Sequence, residues 1–141
     1  MIFSNKKSFL LATVFFVSMA SDVFAQPRAA IAEPAKDLGI FHQDELINYD
    51  FIIKNEGNAT LQITDVRAEC GCVATNYDKT IGPGQTGKVH AKVNISSFNG
   101  VISKDIYIFT NDSTNPEITV TIKGKVIEWI TPIPGYARVN H

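Results

Sequence analysis

Cysteine, histidine and tryptophan are scarce in this chain: two, three and one in 141 residues. A structural zinc site takes four protein ligands, so one here would consume both cysteines and two of His42, His90 and His141. Charge of one sign is lacking too. Thirteen basic residues meet 14 acidic ones, for a net charge of −1. The two signs are interspersed, so no basic patch marks a nucleic acid or an anionic membrane as partner. Helical periodicity is missing beyond Asp37, where no stretch sustains apolar residues at i, i+3, i+4 and i+7. Gly82, Gly84 and Gly87 precede a strand-like run and not a helix, which removes a phosphate loop. No serine, histidine and carboxylate fall into a nucleophile motif. Together these absences point away from an enzyme.

Long apolar runs are confined to the start. Lys6 and Lys7 precede an apolar stretch from Ser8 to Ala20, and Val23-Phe24-Ala25 supplies a cleavage-type ending. This is the layout of a secretory signal peptide over residues 1–25, cleaved after Ala25. A spanning helix needs about 20 apolar residues, and this run is shorter and broken by Ser18, Ser21 and Asp22. The expected product starts at Gln26, is periplasmic or secreted, and keeps no integral membrane segment. Residues 26–37, rich in Ala and Pro, read as a flexible leader. Residues 38–129 make the domain, and 130–141 a C-terminal tail expected either to lie against the sandwich through Tyr136 or to be mobile.

Inside the domain the pattern has period two. In "INYDFIIKN" Tyr49, Phe51 and Ile53 share one face, with Asp50 and Lys54 on the other. In "KVHAKVNI" Val89, Ala91 and Val93 point inward, with Lys88, His90 and Lys92 outward. Ile118, Val120 and Ile122 alternate in the same way. In "TLQITDVRAEC" Leu61 and Ile63 are in phase, but Val66, Ala68 and Cys70 have the opposite parity. Such a slip predicts a bulge or a strand that changes sheets. Pro83-Gly84 suits a type II turn. About seven strands at this spacing predict an all-β, immunoglobulin-like Greek-key β-sandwich.

The stretches "DLGIF", "YDFIIKNEGNATLQITDVRAECGC", "IGPGQTGKVHAKVNI", "GVISKDIYIFTND" and "ITVTIKGKV", in that order, resemble a widespread bacterial family known as domain of unknown function 1573. The resemblance runs from Asp37 to Glu128. Its most specific elements are Asn55-x-Gly57, Cys70-Gly71-Cys72, Pro83-Gly84 and Thr110-Asn111. The family is similar to the immunoglobulin-like modules of spindle and cilium proteins. The resemblance implies an exported sandwich module that binds something, with no established substrate. Val73 stands where the family usually has threonine.

Cys70 and Cys72 flank Gly71. On a regular strand their Cα atoms would lie about 6.5 Å apart with parallel side chains, whereas a disulfide wants Cβ atoms about 3.8 Å apart. Gly71 can fold the segment sharply enough to bring the sulfurs together. A tight disulfide is the leading reading in an oxidising compartment. Three others stay open: two reduced buried thiols, a copper or zinc clip, and a thiol–disulfide reactive pair. No metal ligand set is assigned and no resident cofactor is expected. Asp65 and Glu69 read as solvated carboxylates, Trp129 as a seam residue, and Asn58, Asn94 and Asn111 as chance glycan triplets. The expected role is a non-enzymatic module whose partner is another protein, bound by strand addition at a sheet edge.

Overall fold

The computed structural model describes residues 24–69 and 72–128; of residues 72–75 it describes the backbone alone. Cys70, Gly71, Trp129, Tyr136 and His141 lie outside the described residues, as does the expected signal peptide up to Val23.

The described residues form nine strands and no helix: β1 Ala29–Ile31, β2 Ala35–His42, β3 Leu46–Asn55, β4 Leu61–Ala68, β5 Cys72–Tyr77, β6 Thr80–Ile81, β7 Thr86–Asn94, β8 Gly100–Thr110 and β9 Glu117–Ile127. One sheet has the order β1-β3-β7-β5 and the other β2-β9-β8-β4-β6. The first sheet matches the ABED sheet of an immunoglobulin sandwich, and β4, β8 and β9 match CFG. The all-β immunoglobulin-like reading therefore holds.

The inward positions of both sheets meet in one core. Ile47, Phe51 and Ile53 of β3 and Val89, Ala91 and Val93 of β7 face Ile106 and Ile108 of β8 and Val120, Ile122 and Val126 of β9. Burying each Ile, Val or Phe side chain stabilises the fold by about 1.5–3 kcal/mol. That packing needs no cystine between the sheets.

Three strands arise where the sequence shows no alternation. β1 and the first residues of β2 lie inside the stretch expected to be a flexible leader. That segment is ordered by partners far away in sequence, which its own composition does not report. β5 carries a register shift between Ala74 and Asn76, and β6 is two residues long. The phase slip in β4 coincides with a register shift between Ile63 and Asp65.

The N-terminal arm divides itself between the sheets. β1 pairs antiparallel with β3 over three residues, from Ala29 opposite Asn55 to Ile31 opposite Ile53. The chain then crosses over and β2 runs parallel to β9. β3 is ten residues long, so most of its outer edge extends beyond β1.

Candidate functional site

The chain is in one sheet's company at Glu69 and in the other sheet at Cys72. β4 ends at Ala68, and Glu69 is held against β8: its N–H donates to Asp105 O (3.1 Å), and its Oε2 accepts from Asp105 N (3.3 Å). Three residues later, Cys72 stands opposite Val93 in the other sheet. Beside Asp105 on β8, the Lys104 ammonium sits 4.5 Å from the centre of the Phe98 ring. The sulfur atoms and the Gly71 backbone lie outside the described residues.

The second cluster carries no role from sequence, and it is the best-satisfied polar site among the described residues. Asn55, at the end of β3, is fully buried. Its Nδ2 donates to Ala59 O (2.7 Å) and Ile81 O (2.9 Å), while its Oδ1 accepts from Arg28 N (3.2 Å) and Gly57 N (3.0 Å). Its main chain is engaged as well, by Gln85 O and Gly84 N. Asn58 closes on the arm with its Oδ1 on Gln26 N (2.7 Å) and its N–H on Gln26 O (3.0 Å). Gly57 makes room for this: a Cβ there would stand 2.1 Å from Gln26 O. Asp112, in the loop between β8 and β9, accepts from Ala29 N (2.9 Å) and Thr114 N (2.8 Å). Burial opposes the charge of Asp112, but the N–H groups of Ala29, Thr114 and Asn115, with the nearby Arg28, outweigh it and hold the carboxyl below its ordinary range. This corner clamps the arm at Gln26, Arg28 and Ala29. The signal in sequence was the Asn-x-Gly and Thr-Asn-Asp triplets, which carry no mark of the distant segment they bind.

Pro83 and Gly84 are the central residues of the turn into β7, closed by Gln85 N on Gly82 O (3.0 Å) with Gly84 at φ 71°. A side chain would strain that backbone.

His90 does not stand free on its face. It bonds through Nδ1 to Asp50, its neighbour across β3 and β7. Lys88 Nζ lies 3.7 Å from the same carboxylate. The His90 hydrogen bond, more than Lys88, lowers the Asp50 pKa against a small cost of burial. Among the described residues, no group of three or more His, Cys, Asp or Glu side chains is placed to share a metal ion. No described helix is long and apolar enough to cross a membrane.

The solved structures that this chain resembles share its fold. A protein of unknown function from Porphyromonas gingivalis superposes with a TM-score of 0.63 at 21% identity, over 72% of this chain and 48% of that one. An ASH/PapD-like domain of human CEP192 (PapD-like domain 7) gives 0.57 at 10% identity, over 73% of this chain and 87% of the domain. The VesB protease of Vibrio cholerae gives 0.57 at 14% identity, over 71% of this chain and 32% of that chain. This chain thus spans about half of the Porphyromonas protein and about a third of the protease. No curated protein matches the sequence. The family "Protein of unknown function (DUF1573)" matches residues 29–126, from the first residue of β1 to the penultimate residue of β9, and the chain belongs to that family.

Proposed function

We propose that this protein is an exported, non-enzymatic immunoglobulin-like module that binds another protein. The observation that supports the reading is the mismatch of β1 and β3, three residues against ten, because it leaves main-chain donors and acceptors of the sheet that no described residue pairs. The PapD-like fold of the CEP192 domain supports the same architecture. Lysine-directed cross-linking in intact cells, followed by mass spectrometry, tests the reading. Cross-links from Lys36 or Lys54 to one reproducible second protein are expected, and their absence at native expression would remove it. Fractionation with N-terminal sequencing tests export, with Gln26 expected as the first residue in the periplasm or the medium.

A second reading places reactive or soft-metal chemistry at Cys70 and Cys72. It is favoured by the spacing of the pair in the chain, one glycine apart, with Cys72 opening β5. Intact mass with and without alkylation separates the possibilities. A chain two hydrogens light and inert to the reagent carries a disulfide, two alkylated thiols mark a reduced pair, and a retained copper or zinc mass marks a metal clip.

A further inference from the structure

The part of the β3 edge that no described residue pairs has a definite direction and chemistry. Asn55 N and O are engaged by Gln85 and Gly84, on the β7 side, whereas Glu56 N donates to Arg28 O, on the β1 side. Main-chain groups alternate sides along an antiparallel strand, and β3 pairs with β7 without a bulge from Leu46 to Lys54. The N–H and C=O groups of Leu46, Asn48, Asp50, Ile52 and Lys54 therefore all face the β1 side. β1 meets only the upper end of this row, with Ala30 opposite Lys54 and Ile31 opposite Ile53. Below it, Leu46, Asn48 and Asp50 have no main-chain partner among the described residues. Leu46 O receives only the side chain of Asn48, at 3.4 Å.

Two further features surround this row. Where the arm leaves for the other sheet, a cleft opens between the arm and β3, lined by Ile31, Ala32, Glu33, Tyr49, Phe51 and Ile52. Leu46 and Ile52 on the outward face of β3 are 51% and 54% exposed. A long, unbulged edge of this kind, with no proline in it, is what soluble sheets ordinarily protect.

A second copy of the chain does not match the strip. Two-fold pairing about Tyr49 would bring Leu46 of one copy opposite Ile52 of the other, where Ala32 already leaves β1. Pairing about Asn48 avoids Ala32 but sets Leu46 opposite Asp50. That carboxylate is held in its charged form by His90 and Lys88. A strand that matches instead carries a cation opposite Asp50, apolar residues opposite Tyr49, Ile47 and Leu46, and a neutral polar residue opposite Asn48.

We infer that β3 from Leu46 to Asp50 is a docking edge for an extended segment of a partner protein, added antiparallel, with the order basic–apolar–polar–apolar–apolar. Its first apolar side chain, opposite Tyr49, enters the cleft between the arm and β3. This rests on the interaction-module reading and names the surface that serves it.

The test uses the purified protein with its C-terminal residues in place and a labelled peptide with the core Lys-Val-Thr-Val-Leu. By NMR hydrogen exchange, the amides of Leu46, Asn48 and Asp50 exchange fast in the free protein while those of Ile47, Tyr49 and Phe51 are protected. Saturating peptide slows the first set. Asn48→Pro removes an edge-facing N–H and leaves the β7 ladder whole, so it weakens the peptide about tenfold or more. Asp50→Lys shifts preference about threefold toward a peptide headed by glutamate, as expected of one cross-strand charge pair. Equal peptide binding by the wild type and Asn48→Pro would overturn the proposal. So would protection of the Leu46, Asn48 and Asp50 amides in the free protein, whether constant, marking the chain's own residues on the edge, or rising with concentration, marking a second copy. A cellular cross-linked partner that persists in Asn48→Pro sinks this edge and leaves the module reading standing. Loss of all cross-links in the wild type sinks the module reading itself.

Discussion

The two ends of β3 treat the same backbone in opposite ways. At Asn55 every polar group is spoken for: the side chain makes four hydrogen bonds and the main chain two. At Leu46 to Asp50, nine residues or fewer down the same strand, the outward-directed main-chain groups find no main-chain partner among the described residues. The fold is thus locked where the N-terminal arm enters and left open where the arm departs for the other sheet. An arm that paired with all of β3 would cover that strand but leave β9 as an edge of the other sheet. Dividing it between two sheets ties both together at one corner and exposes the rest of the strand.

The largest effect should come from breaking the locked end. Asn55→Ala strands one buried carbonyl, one part-buried carbonyl and two part-buried N–H donors at once. Each unsatisfied buried group costs about 1–3 kcal/mol, so a loss of about 3 kcal/mol or more is expected, read as a fall in the urea midpoint at unchanged slope. Gly57→Ala should approach it, because its Cβ would meet the backbone of Gln26 and Arg28, which cannot yield as a flexible side chain would. A Gly57→Ala protein as stable as the parent would show that the arm is not held against this corner.

Asp112→Asn comes next, at about 1–2 kcal/mol at neutral pH, since the amide oxygen can keep one of the N–H bonds but not both with the strength of a charge. The sign with pH follows from the lowered pKa. The folded value lies below the ordinary 3.8, so the stabilisation by the carboxylate is present above that value and is lost as pH falls through the folded value. Urea titrations between pH 5 and pH 2 should show a steeper loss in the parent than in Asp112→Asn. Parallel curves would mean that Asp112 is not charged in the folded state.

Much of the sandwich was legible because its long strands keep strict alternation: Val89, Ala91 and Val93, or Val120 and Ile122, declare their face by position alone. The bulge in β4 was legible as a change of phase. The clamp was not. Nothing local to "QPRAAI" says that its main chain will meet Asn55, Asn58 and Asp112, since those bonds join residues from 27 to 83 positions apart and use backbone atoms common to every residue. His90 was read as solvent-facing from its lysine neighbours, but its partner lies across the sheet, forty positions away. Alternation reports which face a residue takes and says nothing of which strand stands beside it. For that reason the cysteine triplet was conspicuous in sequence, while the edge of β3 needed the pairing of β1 to be seen.

The comparison is sharpest between neighbouring prolines. Tyr49→Pro deletes an N–H that faces β7 and should cost about 3 kcal/mol or more, whereas Asn48→Pro deletes one that faces the open edge and should cost well under half as much. Thermal unfolding of the two variants distinguishes an open edge from a covered one without any ligand. Equal losses would mean that the Asn48 side of the strand is also paired.

The smallest effect belongs to the outward pair behind that edge. Asp50→Asn removes the partner of His90 and Lys88 at a site more than a third exposed, where screening limits such pairs to about 0–1 kcal/mol. Asp50 is lowered from 3.8 chiefly by the His90 hydrogen bond, so its small contribution is present above that value and fades as pH falls through the folded one. Raising salt toward 1 M, where the Debye length is about 3 Å, should erase most of the difference between Asp50→Asn and the parent. If stability is insensitive both to the substitution and to salt while peptide selectivity still depends on Asp50, then this carboxylate serves recognition and not the fold, which is the distinction the two ends of β3 draw on a larger scale.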